Sequence, residues 1–310
     1  MEREITAFAP ASVSNVACGF DIMGFALDQP GDTVTARVVK SPGVRIKSIT
    51  GSTSSLPTDP ALNTAAAPVA ALLKHCKATL GVELEISKGV PVGGGIGSSA
   101  ASAVAAAVAC NALLELDLTK EELLPFAIEG EKIASDAIHV DNLSPSLWGG
   151  FILVRGYKPI DIVQIEAPRD IWCTVIHPHI EIQTKASRKL LPKSVPLADL
   201  VTQTGNAAGL VAGLLKQDYA LIGRSLHDVV AEPARSHMIP GFANMKAAAL
   251  DAGALGCSIS GSGPSVFALS ITKETADKVG ASMRKVLDSL ACPNTVFVSR
   301  ICSNGARIIS

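Results

Sequence analysis

Pro91-Val-Gly-Gly-Gly-Ile-Gly-Ser-Ser-Ala-Ala101 is the stretch on which the reading of this chain turns. Gly93, Gly94, Gly95 and Gly97 let backbone N–H groups point at a ligand with no side chain in the way. The alternation of Val82-Glu-Leu-Glu-Ile-Ser87 ahead of it predicts a strand, and the alanine-rich run from Ser98 predicts a helix. The first N–H groups of such a helix have no intrahelical partner, and its dipole favours negative charge. Ser98 and Ser99 add hydroxyls at that end. Strand, glycine loop and helix N-terminus together describe a phosphate cradle; the plain alternative is a flexible turn with a serine cap. A Walker A loop fits badly, because Ser98 stands where lysine is needed. A dinucleotide fingerprint would follow a regular parallel βαβ start, which the irregular opening segment does not provide.

A second glycine cluster, Ser258-Ile-Ser-Gly-Ser-Gly-Pro-Ser265, lies between two strand-like runs. Alone it reads as a hairpin connection, and it contains no GxSxG nucleophile elbow. Around these loops the chain mixes strands and helices. Ile5 to Ala9 and Thr33 to Val39 alternate as half-buried strands do. Ala66, Val69, Ala70, Leu73 and Leu80 recur at helical spacing, with Pro68 in the first turn, and Thr119 with Glu122 forms a capping box. A seam is expected near Tyr157-Lys158-Pro159, dividing the chain into domains 1–157 and 158–310. The second part reads strand (171–176), helices (198–216 and 243–252), strands (255–258 and 266–270), helix (273–290) and strand (295–300). This is an α+β arrangement.

The 310 residues suffice for two domains, and 48% hydrophobic against 18% charged residues predicts a sizeable core. A formal charge of -1 offers no footprint for nucleic acid or an anionic membrane. The most apolar run, Ala100 to Leu114, is too short and too alanine-rich to cross a bilayer. Seven scattered cysteines with no CxxC pair, and no leader at the N-terminus, predict reduced thiols and a cytoplasmic location.

Together the two loops resemble the signature segments of the GHMP kinase superfamily, with Ile96 where leucine is usual. Further segments are similar to the homoserine kinases of that superfamily: Pro10-Ala-Ser-Val-Ser-Asn15, Gly19-Phe-Asp-Ile-Met-Gly24, His139-Val-Asp-Asn142 with Gly149-Gly150, Thr184-Lys-Ala-Ser-Arg188, and Glu232-Pro-Ala-Arg235 before Pro240-Gly-Phe242. They fall in the family's order from residue 10 to residue 265. Val16-Ala17-Cys18 departs from it, standing where a more glycine-rich turn is common. The resemblance implies a two-domain α+β fold, with an N-terminal domain like ribosomal protein S5 domain 2 and a ferredoxin-like C-terminal domain. It also implies ATP with Mg²⁺ as the phosphoryl source, and L-homoserine as the acceptor in threonine biosynthesis. A homodimer, common among relatives, stays open.

Residue roles follow from the same resemblance. Ser98 and Glu131 would hold Mg²⁺. Pro91, Gly93 to Ser99 (Ile96 included) and Ala100 would bind the nucleotide's phosphates, with Asn63 and Lys88 on its base and ribose side. Arg188 and Arg235 can fork onto a substrate carboxylate, Asp21 can pair with its ammonium, and Asn15 can bond its hydroxyl, with His139 in the same pocket. No residue is an obvious general base, since Ala11 to Asn15 lacks the early lysine of mevalonate-kinase-like relatives. Alignment by Asn15, Ser98 and Glu131 is therefore the expected catalytic device. A different alcohol, or a nucleotide-binding regulator without catalysis, is the competing reading.

Overall fold

The computed structural model describes residues 3–51, 55–134, 138–166 and 168–310. In chain order the elements are β1 (Glu4–Ser14), β2 (Met23–Val39), β3 (Gly43–Thr50), α1 (Ala66–His75), β4 (Gly81–Ser87), α2 (Ser98–Leu113), α3 (Lys120–Ala134), α4 (Val140–Trp148), β5 (Phe151–Tyr157) and β6 (Ile160–Ile165). After them come β7 (Trp172–Pro178), α5 (Thr184–Lys189), α6 (Leu197–Lys216), α7 (Tyr219–Ser225), α8 (Ala231–Arg235), α9 (Phe242–Asp251), β8 (Gly256–Ile259), β9 (Val266–Ser270), α10 (Lys273–Ser289), β10 (Asn294–Arg300) and β11 (Arg307–Ile308).

The first sheet runs β11-β1-β2-β4-β3, and β5 adds to the far end of the long β2, with β6 beside it. Among the described residues only β3 and β4 pair in parallel. The 1–157 and 158–310 division falls in the turn of the β5/β6 hairpin. Its ladder, from Phe151 opposite Ile165 to Tyr157 opposite Ile160, keeps residues 160–165 on the first sheet. The second sheet, β10-β7-β9-β8, opens at Trp172. The α1 helix also stops sooner than its apolar spacing suggests: it ends at His75, Lys77 turns left-handed, and Leu80 is exposed.

Burial explains the layering. In α2, 11 of 16 residues are buried, so this helix is enclosed on all sides and its alanines let β1, β2 and α3 pack close. In the second sheet the faces alternate with period two. Val175, Phe267 and Leu269 pack with Phe25, Leu27 and Phe151 of the first sheet, while Ile176, Val266 and Ala268 pack under α9 and α10. One apolar layer therefore joins the two sheets.

Beneath the glycine loop lies a fully buried polar hub. Asp32 Oδ1 accepts from the N–H groups of Gly89 and Val90, both at 3.0 Å, and Oδ2 accepts from Ser102 Oγ at 2.6 Å. The Lys88 ammonium pairs with Asp32 and donates to Ser98 O at 2.9 Å and Ser102 Oγ at 2.8 Å. Lys88 is thus buried, not a solvated strand-end residue, and burial lowers its pKa against the pull of Asp32. Removing one partner strands the other charge. Asp32→Ala is expected to cost about 3–5 kcal/mol in urea unfolding, and the double change Asp32→Ala with Lys88→Met should recover much of that loss.

Candidate active site

A cavity of about 580 Å³ opens where both glycine loops meet, walled by the first sheet's helices on one side and by α5 and α8 on the other. The phosphate-type loop is shaped by Gly93, Gly95 and Gly97, all left-handed with φ near 70°. At Gly95 the second loop leaves no room for a side chain: a Cβ would lie 2.5 Å from Gly263 O and 2.6 Å from Ser260 O. Ser260 Oγ donates to Gly95 O at 2.8 Å and the Ser265 N–H to Gly94 O at 3.2 Å, so the two loops are bonded backbone to backbone. His177 backs this contact through Ser265 Oγ at 3.2 Å. Burial, helped by His179, pushes it down to about 4, so it is neutral at pH 7.

Glu131 is 3% exposed, not the surface acid its helical setting suggests. Gly130 lets α3 close on α2, since a Cβ there would meet Ala103 Cβ at 2.6 Å and Thr64 O at 2.4 Å. Ser99 Oγ donates to Glu131 Oε2 at 3.1 Å, and His139 Nδ1 meets Oε1 at 3.0 Å. Burial works against a charged His139 ring, but the Glu131 bond and charge outweigh it and raise its pKa. Ser98 is turned away, donating to Val90 O at 3.0 Å, so Ser99 supplies the hydroxyl at Glu131. Successive helical residues point about 100° apart, and which serine faced α3 depended on where the helix began. Pro91, Ile96 and Ala100 are absent from the wall; Ile96 and Ala100 belong to the core. Asn63 reaches the cavity, but its amide is engaged with its own loop through Pro57 O and the Ala65 N–H. Lys88 also reaches the wall, with its ammonium committed to the hub.

At the other end Asn15, Val16 and Ala17 are successive left-handed residues, and Asp21 is a fourth. The chain therefore follows a glycine-like path with side chains that resist it, and the strain must be held by surrounding bonds. Asn15 supplies two of them: Nδ2 donates to Gly261 O at 2.8 Å and Oδ1 accepts the Asp21 N–H at 3.0 Å. Asp21 forms a bidentate pair with Arg188, so its carboxylate is already engaged. Arg235, 3% exposed, bonds Gly261 O at 3.3 Å; burial lowers its pKa and Asp21 opposes that. Phe20 lies against both guanidiniums, 5.7 Å from Arg188 and 5.1 Å from Arg235.

Three contributors escaped the sequence reading. Phe20 had no charge pattern to mark it. Asn142 accepts from Ser12 Oγ at 3.0 Å and donates to Ser14 Oγ at 2.9 Å, lying beside Gly97. Tyr157 OH donates to Asp21 O at 2.5 Å. Among the described residues no three His, Cys, Asp or Glu side chains cluster to hold a metal by themselves.

Models of the GHMP kinase N-terminal and C-terminal domains match residues 63–150 and 210–289. The homoserine kinase of Chlorobaculum tepidum is 48% identical, covering 99% of both chains. The chain belongs to the GHMP kinases. Within that family it is similar throughout to homoserine kinases. The crystal structure of the one from Cytophaga hutchinsonii superposes with a TM-score of 0.96 at 50% identity, over 100% of this chain and 98% of that one. A mevalonate kinase from L. major, 16% identical with a TM-score of 0.73, shares the fold. The two-domain α+β architecture is thus the GHMP kinase fold.

For a GHMP kinase built this way, the loop contact at Gly95 is the sensitive point. Gly95→Ala adds a left-handed alanine, costing about 1–2 kcal/mol before any clash. It should lower kcat/KM for ATP about 100-fold, since a loop displaced by about 1 Å loses roughly two orders of magnitude in rate. Steady-state kinetics with ATP varied would show it.

Proposed function

We propose that this GHMP kinase transfers the γ-phosphoryl group of ATP to the side-chain hydroxyl of L-homoserine. One observation carries the substrate: two guanidiniums and a carboxylate, Arg188, Arg235 and Asp21, converge beside Asn15 in the same cavity as the phosphate-type loop. That set fits a zwitterion with a carboxylate, and it has nothing comparable to offer a neutral sugar.

The loop's N–H groups and the free end of α2 would bind the phosphates. Apolar residues of the wall, among them Ile49, Leu56, Leu62 and Ile133, suit the flat faces of a base. Glu131 and the Ser99 hydroxyl fit Mg²⁺, an ion that takes one or two protein oxygens and fills its shell with phosphate and water. When bound, Mg²⁺ supplies charge neutralisation at the transferring group. His139 holds Glu131 in place from the opposite oxygen. Asn15, fixed between Gly261 and Asp21, presents its amide to the acceptor hydroxyl, and Arg235 and Arg188 fix the far end of that molecule. Transfer then rests on alignment and charge neutralisation. The seven free cysteines suit the reducing cytoplasm, and no described helix is long and apolar enough to cross a membrane.

The test is ADP release with ATP and Mg²⁺, comparing L-homoserine with L-serine, L-threonine, mevalonate and galactose. Homoserine should stimulate release most, with phosphohomoserine confirmed by mass; release driven only by mevalonate or galactose would refute the amino-acid pocket. Glu131→Gln should lower kcat by about 10²–10³. Arg235→Lys should raise the KM for homoserine roughly tenfold or more with little change in the KM for ATP, because the ammonium cannot fork onto a carboxylate.

A further inference from the structure

Outside the cavity, one amide on α6 joins two of the segments that furnish its wall. In the N-terminal half of that helix Leu197, Leu200 and Val201 are exposed, while Gln203 faces inward and is half-buried. Its Nε2 donates to Cys18 O and to Asp228 Oδ1, both at 3.1 Å, and its Oε1 accepts the Val229 N–H at 3.0 Å. A glutamine amide offers two N–H groups and one carbonyl oxygen, so both donors and the oxygen are engaged. A carboxylate would lack the donors, and an apolar chain of the same length would lack all three bonds.

The bonds end on parts of the chain that carry the acceptor groups. Cys18, 2% exposed, follows the left-handed residues Asn15, Val16 and Ala17 and precedes Phe20 and Asp21. Asp228, 5% exposed, holds the start of α8: Oδ1 accepts the N–H groups of Val230 and Ala231 at 2.8 and 2.9 Å, and Oδ2 that of Glu232 at 2.8 Å. That helix ends at Arg235, whose guanidinium lies 5.1 Å from the Phe20 ring. The contacts therefore close a ring, from Gln203 to Cys18, along the turn to Phe20, across to Arg235, back through α8 to Asp228 and so to Gln203. The phosphate-type loop hangs instead from Lys88 and Asp32. We propose that Gln203 is a positioning residue for the acceptor, its amide setting the distance between the turn bearing Asn15 and Asp21 and the guanidinium of Arg235. This rests on the reading that the acceptor is an amino acid, whose hydroxyl and carboxylate must reach both sides of the ring at once.

The experiment measures steady-state kinetics, with L-homoserine and ATP each varied in turn, for wild type, Gln203→Met and Gln203→Asn. The first variant keeps the length and loses the amide; the second keeps the amide one methylene short. Both should lose about 10- to 100-fold in kcat/KM for homoserine, the scale of a misplaced reacting group, while the KM for ATP holds. Combined with Arg235→Lys, Gln203→Met should cost less than it does alone, because residues that act through one another are not additive. A residue that serves stability only would lower Tm and leave the homoserine kinetics of the folded enzyme unchanged, and that result overturns the proposal. Equal losses toward both substrates, or losses that simply multiply in the double variant, also overturn it. If Gln203→Met does not fold, Gln203→Asn carries the same comparisons. A wild type that turns over homoserine beside unaffected variants sinks only the role of Gln203. A wild type that does not phosphorylate homoserine overturns the amino-acid reading and this role with it.

Discussion

The buried pair of Lys88 and Asp32 fixes the point from which the cavity is built. An ammonium and a carboxylate out of water cost several kcal/mol each unless every remaining donor and lone pair is used. Here those atoms are spent on chain segments that must not move: the exit of β4 at Gly89 and Val90, and the first turn of α2 at Ser98 and Ser102. The glycine loop between those anchors carries three left-handed residues and sends one side chain, Ile96, into the core. Its shape is therefore imposed from its two ends and from the second loop pressed against Gly95.

The same economy recurs at the turn formed by residues 15–21. Asn15, Val16 and Ala17 occupy a backbone region that non-glycine residues avoid. Asn15 ties the turn to Gly261, and Arg235 bonds the same carbonyl. Gly261 thus joins the strained turn, the second loop and a guanidinium in one place. Displacing Gly261 would disturb both bonds at once.

Much of this was legible in the sequence because period and punctuation are local. The capping box at Thr119 and Glu122 closes with both bonds made, and the strand at Val266–Ser270 and the helix start at Ser98 fall where the strand-like run and the glycine loop placed them. What was not legible depends on the third dimension. Strand β3 alternates Val44, Arg45, Ile46 and Lys47 on a sheet edge where charge is tolerated, and the sequence reading assigned nothing to it. Lys88 and Asp32 are far apart in the chain, and neither carries a mark of burial. Ser98 and Ser99 are adjacent and chemically alike; only the rotation of α2 against α3 tells which one meets Glu131.

The chain's last residues bear on how this molecule comes into being. β11 lies against β1, and Thr6 donates its N–H to Ser310 O. The outer rim of β1 is therefore finished by a strand that follows every other element of the two sheets in the chain. Synthesis from N- to C-terminus leaves that rim of β1, a row of unpaired amides and carbonyls, waiting until β10 and all the elements before it have been made. The nascent sheet must keep this edge from other chains until β11 arrives, a demand on the cell's folding machinery that the folded enzyme no longer displays.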